Sequence, residues 1–204
     1  NQCLHNLDVL QWLLGMPVRV RGFCQLGRFH QIEVEDNVTA YLEWPNQATG
    51  VFVSSTGEAP GANRFEIVGT RGTLVLENGK LTFTRNATDM LEFSRTAKTG
   101  FSKPDATTEE VPFSNATAPH AALMQNFVNA ILDGEPLIAP GADGIHSVEL
   151  ANVMVYSSLQ NETVELPMNG AAWEQKLNEL IANSKLEKKV MQVEATDFAT
   201  SFRR

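Results

Sequence analysis

Asn1, His5, Asp8 and Trp12 are spaced i, i+4, i+7 and i+11 at the start of the chain. On a helix, at about 100° per residue, they share one narrow arc. An imidazole on such an arc can take or give a proton near neutral pH. Asn1, one turn earlier, and Asp8, three residues later, can each orient the ring by a hydrogen bond. The plainer reading is a surface histidine beside a good helix-capping asparagine. Spacing alone leaves both open.

Other chemistries fit less well. A zinc site gathers three or four His, Cys or carboxylate ligands, and asparagine is a poor one. His30, His120 and His146 form no spaced pair, so no metal site is expected. Ser54-Ser55-Thr56-Gly57 contains no G-x-S-x-G elbow. Gly69-Thr70-Arg71-Gly72 sits between two strand-like runs, not between a strand and a helix, so it is not a pyrophosphate-binding loop. Glu33-Val34-Glu35-Asp36 is an acidic cluster that reads as the solvated start of a strand. Thr56 to Gly61 reads as a loop at the end of a strand, a place where binding groups often sit.

The elements that must position these residues follow from periodicity. Leu4, Leu7, Leu10 and Leu14 span roughly one third of a helical turn and make a core-facing stripe. Gly15 and Pro17 then end the helix. Alternating runs at 18–21, 38–43, 48–55, 65–68, 73–76 and 81–84 predict short strands, and Asn78-Gly79 predicts a two-residue hairpin. The polar stretch 85–119 is expected to hold edge strands at 91–94 and 110–113. Helical spacing returns from His120 to Gly134 and from Ile145 to Leu159, followed by a short strand at 163–166. A last helix carries Trp173, Leu177, Leu180 and Ile181 on one stripe. Strands grouped before helices indicate an α+β fold, an open and mainly antiparallel β-sheet with helices packed on one face. Residues 1–185 are expected to form one domain and 186–204 a polar tail.

The 204 residues are 43% hydrophobic and 20% charged, ordinary values for a globular protein. With net charge −8 and no dense Lys/Arg run, a nucleic-acid partner is not expected. No apolar stretch approaches the roughly 18 residues of a membrane span. Two cysteines and no signal-like start lead us to expect a cytoplasmic protein.

Taken in order, Asn1-x-x-x-His5-x-x-Asp8-x-x-x-Trp12-Leu13-x-Gly15, Ile32 to Val38, Ala48 to Phe52 and Glu66 to Gly72 resemble the C-terminal domain of the Gfo/Idh/MocA oxidoreductases. These are the relatives of glucose–fructose oxidoreductase and inositol dehydrogenase. The resemblance implies a two-domain enzyme whose N-terminal Rossmann domain, which binds NAD or NADP, is not in this chain. The present half would supply a catalytic helix and a substrate-binding sheet, and would be inactive alone. The implied reaction takes a hydride from a hydroxyl of a sugar, cyclitol or related polyol, with His5 as general base. The family's helix typically carries Asp four residues before the histidine. Asn1 stands there instead; it can orient the ring but cannot stabilise an imidazolium as a carboxylate would, and Asp8 is expected to compensate in part. The family's catalytic lysine belongs to the cofactor domain. Arg28, His30, Thr56 and Glu58, in loops that would face that domain, are the expected substrate contacts. The resemblance and the open sheet together imply a homodimer or higher homo-oligomer through the sheet face. The alternative is a non-catalytic sugar-binding and dimerisation module.

Overall fold

A computed structural model describes residues 3–113 and 119–187 of the protein. In chain order its elements are α1 (Leu4–Leu14), β1 (Arg19–Leu26), β2 (Glu35–Glu43), β3 (Thr49–Ser55), β4 (Arg64–Gly69), β5 (Gly72–Glu77), β6 (Lys80–Asn86), α2 (Met90–Thr96), β7 (Ala106–Val111), α3 (Pro119–Asp133), a 3-10 turn (Gly141–Asp143), α4 (Gly144–Gln160), β8 (Val164–Glu165) and α5 (Gly170–Asn183). The fold is α+β with open antiparallel sheets. The strands divide between two four-stranded sheets, ordered β3-β2-β1-β8 and β4-β5-β6-β7. The sheets belong to two compact units, Asn1–Gly57 with Pro140–Arg204, and Glu58–Ala139. No helix among the described residues is long and apolar enough to cross a membrane.

In the first unit, α4 lies against one face of the sheet. Alternation along β1 and β2 sends Val20, Ala40 and Leu42 inward, and helical spacing along α4 sends Leu150, Val153 and Met154 to meet them. Leu7 of α1 and Trp44 complete this core. Each fully buried aliphatic side chain of this size contributes about 1.5–3 kcal/mol. The α1 stripe is narrower than the leucine spacing predicts: Leu7 is buried, whereas Leu14 is 40% exposed. The end of that helix is held by Trp44, whose indole Nε1 donates to the Gly15 carbonyl at 2.9 Å.

The other face of the same strands carries a different set. The register Arg21↔Tyr41↔Val51 and Phe23↔Thr39↔Val53 places Phe23, Tyr41, Val51 and Val53 close together. All four are exposed.

β8 pairs with β1 only at Arg19↔Glu165 and Val20↔Val164. Beyond that short ladder two serines of α4 take over: the Gly22 N–H donates to Ser157 Oγ at 2.9 Å and the Cys24 N–H to Ser158 Oγ at 2.8 Å. Serine hydroxyls therefore satisfy backbone donors that a longer strand would have satisfied.

The second unit confirms the Asn78-Gly79 hairpin, with φ of 52° and 71° at the two turn residues. Its register aligns Phe65 and Leu81 with Leu76, and Ile67 and Phe83 with Leu74, on one sheet face. Residues 91–94 are helical, in α2, where an edge strand was expected. The reason is a capping signal: Asp89 accepts from the Leu91 N–H at 3.0 Å, and Glu92 stands in the first turn. The second expected edge strand lies earlier, as β7, with Val111 opposite Leu81. The three later helices fall where periodicity places them.

Candidate functional site

His5 and Asp8 are exposed on α1, turned away from the Leu7 side. Asp8 Oδ1 accepts from Gln11 Nε2 at 3.0 Å. Asn1 lies outside the described residues. The foot of this helix reaches β3, where Cys3 Sγ lies 2.8 Å from Ser54 Oγ. A cavity of about 180 Å³ opens beside it, lined by Cys3, Leu4, Leu7, Phe52, Asp36 and Thr56 among others. Its wall thus runs from the first turn of the histidine-bearing helix to the outer end of β2 and β3.

At that outer end three of the expected substrate contacts come together. Arg28, His30 and Thr56 all bond to Asp36, a member of the acidic run at 33–36 that was expected to be solvated. Asp36 is 3% exposed. Its Oδ1 accepts from the Arg28 N–H at 3.0 Å. Its Oδ2 accepts from the N–H groups of Phe29 at 2.7 Å and His30 at 3.0 Å, and lies 3.2 Å from His30 Nδ1. The Asp36 carbonyl accepts from the Thr56 N–H at 3.0 Å and from Thr56 Oγ1 at 3.3 Å. Burial by itself would push the Asp36 carboxyl up, but the N–H donors of Phe29 and Arg28 and the ring and N–H of His30 outweigh it and hold the carboxyl below the ordinary aspartate range.

Asp36 corrects the solvated-strand reading of Glu33 to Asp36. A signal for it exists: Asp36 is in phase with Val38, Ala40 and Leu42 along β2, the side that packs inward. Glu33 lies outside the strand and meets the chain's later part. Its carboxylate accepts from the Ser184 hydroxyl and, at 2.9 Å, from the Lys185 N–H.

Arg28 extends to Gln25 Oε1, and its guanidinium lies 5.2 Å from the centre of the Phe29 ring. Gln25 Oε1 also accepts from Asn37 Nδ2 at 2.7 Å. Glu58 belongs to the second compact unit and is exposed there. Gly69 pairs with Gly72 in the turn that joins β4 to β5. That turn leads into a strand rather than a helix, so it does not offer the helix N-terminus that holds a pyrophosphate. Among the described residues no three His, Cys, Asp or Glu side chains gather as a metal would require.

The family model described as "Oxidoreductase family, C-terminal alpha/beta domain", that of the Gfo/Idh/MocA group, matches residues 1–166. The chain belongs to the Gfo/Idh/MocA oxidoreductase family. Solved structures agree at the level of fold. The Gfo/Idh/MocA domain described here matches the WlbA dehydrogenase of Chromobacterium violaceum, solved with NADH and UDP-GlcNAcA, with a TM-score of 0.62 and 20% identity over 83% of this chain and 46% of that one. It matches the aldose-aldose oxidoreductase of Caulobacter crescentus, solved with glycerol, with a TM-score of 0.59 and 19% identity over 80% and 45%. It matches the UDP-N-acetylglucosamine 3-dehydrogenase GnnA of Acidithiobacillus ferrooxidans with a TM-score of 0.57 and 21% identity over 76% and 46%. The chain spans less than half the length of each of these enzymes. No curated protein matches it.

Proposed function

We propose that residues 1–185 are the substrate-binding and catalytic-helix half of an NAD(P)-dependent oxidoreductase acting on a hydroxyl of a sugar, cyclitol or related polyol; the polar tail expected at 186–204 lies, from residue 188 on, outside the described residues. One observation carries the reading. His5, the histidine at the family's catalytic position, has an exposed ring on the helix whose first turn walls the cavity beside Asp36 and Thr56.

A nicotinamide would be held by another domain, a reading supported by the Gly69–Gly72 turn, which leads into a strand and not a helix. Bound there, it would supply the hydride chemistry. The chain's own residues bind, orient and move a proton. His5 takes the proton of the reacting hydroxyl. Asn1 and Asp8 orient its ring. Arg28, His30 and Thr56 contact the remaining hydroxyls. The enzymes solved with UDP-GlcNAcA and glycerol support a polyhydroxylated substrate.

A second copy of the chain covers the open sheet face, because Phe23, Tyr41, Val51 and Val53 leave an apolar patch there. The free cysteines Cys3 and Cys24 support a reducing, cytoplasmic setting.

The test uses the complete open reading frame with NAD and NADP against a panel of polyols. The reading expects hydroxyl-dependent reduction of one nicotinamide, and a loss of about 10²–10⁴-fold in kcat on His5→Asn. A complete protein that oxidises no polyol, while this chain still binds a sugar, would establish a binding module instead. Light scattering that shows only monomer at high concentration would remove the oligomer.

A further inference from the structure

We propose that the buried Asp36 carboxylate fixes His30 in the tautomer that carries its hydrogen on Nδ1, so that Nε2 presents an outward lone pair to a hydroxyl of the substrate. The identity of that hydroxyl rests on the polyol reading above; the tautomer does not.

The argument is a count of hydrogens. An ionised carboxylate has none to give, so Asp36 Oδ2, 3.2 Å from His30 Nδ1, can only accept. The second neighbour of Nδ1 is Thr56 Oγ1, at 3.4 Å. A threonine hydroxyl has one hydrogen, and this one is directed at the Asp36 carbonyl. Toward the ring, Thr56 therefore offers only a lone pair. Nδ1 faces acceptors on both sides and must carry the hydrogen. In a neutral ring the lone pair then resides on Nε2.

Burial sets the direction. The His30 side chain is 46% exposed while that of Asp36 is 1% exposed. Nδ1 faces the buried carboxylate at 3.2 Å, and the half-exposed ring leaves its opposite edge, with Nε2, to meet the substrate. The backbone is held to match: Gly27 N–H donates to Val34 O and Ile32 N–H to His30 O, each at 3.0 Å, closing the loop around the carboxylate. Arg28 stands two residues away on the same loop. An acceptor at His30 beside a donor at Arg28 suits neighbouring hydroxyls, each of which both gives and takes a hydrogen bond. In this arrangement Asp36 is a positioning residue and His30 a substrate contact.

The test is nitrogen-detected histidine NMR on the 204-residue chain, with the His30 signals assigned by their loss in His30→Gln. Above the imidazole titration, the wild-type ring is expected to show the hydrogen on Nδ1 alone. Asp36→Asn, which replaces an acceptor with a group that also donates, is expected to give a mixture. Thr56→Val removes the hydroxyl but keeps the carboxylate, and is expected to retain the Nδ1 hydrogen; it serves if Asp36→Asn does not fold. A wild-type ring protonated on Nε2, or a ring indifferent to Asp36→Asn, overturns the proposal. In the complete protein with NAD or NADP and myo-inositol, glucose or UDP-N-acetylglucosamine, Asp36→Asn is expected to raise KM by about tenfold, one hydrogen bond's worth, with kcat little changed. A fall in kcat at unchanged KM overturns the substrate contact. If the complete wild-type protein oxidises none of the three, the oxidoreductase reading and with it the hydroxyl contact fall, while the NMR result still decides the tautomer.

Discussion

Gly22 of β1 lies against the backbone of Met154 in α4, so close that a Cβ at residue 22 would stand 2.1 Å from the Met154 carbonyl oxygen. The obstacle is helix backbone, which cannot swing aside as a side-chain tip can. Gly22→Ala should push α4 off the sheet and cost about 1–3 kcal/mol or more. Urea unfolding followed by tryptophan fluorescence should show a lower midpoint with an unchanged slope. An unchanged midpoint would mean that the helix and strand can separate freely.

Ser157 is fully buried and bridges the same two elements, accepting from the Gly22 N–H and donating to the Glu162 carbonyl. Ser157→Ala would leave a buried strand N–H without its acceptor. The expected loss is about 1–3 kcal/mol. Hydrogen exchange should locate it, with faster exchange at the Gly22 amide than at residues of β2. A variant as stable as the wild type would show that water replaces the hydroxyl.

Asp36 predicts an acid limb in stability. Its carboxyl is held below its ordinary value of 3.8 in the folded protein. Between the folded and unfolded values the unfolded chain binds more protons, so stability rises with pH there. The contribution is present above pH about 4 and is lost as pH falls through the folded value. Urea midpoints measured from pH 5 downward should fall more steeply for the wild type than for Asp36→Asn, whose amide does not titrate. Parallel curves would contradict the carboxylate's role.

Cys24 should be a slow thiol. Burial pushes it up to about 11, the Glu35 carboxylate adds to the rise, and the Ser158 hydroxyl opposes it. The thiolate is the reactive form, and little of it exists at pH 8. In a Cys3→Ala background, labelling of Cys24 by a disulfide reagent should be slow in the folded protein and fast in urea. Rapid labelling under native conditions would show that α4 opens readily over β1.

Local structure was legible wherever backbone sterics or a repeat length decides it. Asn78-Gly79 demands positive φ, and the hairpin is there. Gly134, at φ 72°, follows the last residue of α3 as its place after the apolar run predicts. Helical spacing from Ile145 to Leu159 forecast α4, and the alternating runs forecast the strands around the Asn78-Gly79 turn. The capping pair Asp89 and Glu92 was just as readable, yet the β-like residues between 91 and 94 concealed it. Asp36 was hidden differently. Its inward phase along β2 was visible, but a carboxylate on an inward face makes sense only when its donors are known.

Those donors separate what the sequence by itself determined from what only the tertiary structure decided. Helix and strand periods, the hairpin and the family order of motifs are properties of neighbours in the chain, and dihedral preference and amphipathic spacing act at that range. The meeting of Thr56 with His30 across 26 residues, and of Gly22 with Ser157 across 135, arises from the packing of β3 and α4 against their neighbours. So does the division of the strands between two sheets. Burial makes every polar group find a partner, and which partner it finds depends on which elements the core has already brought together.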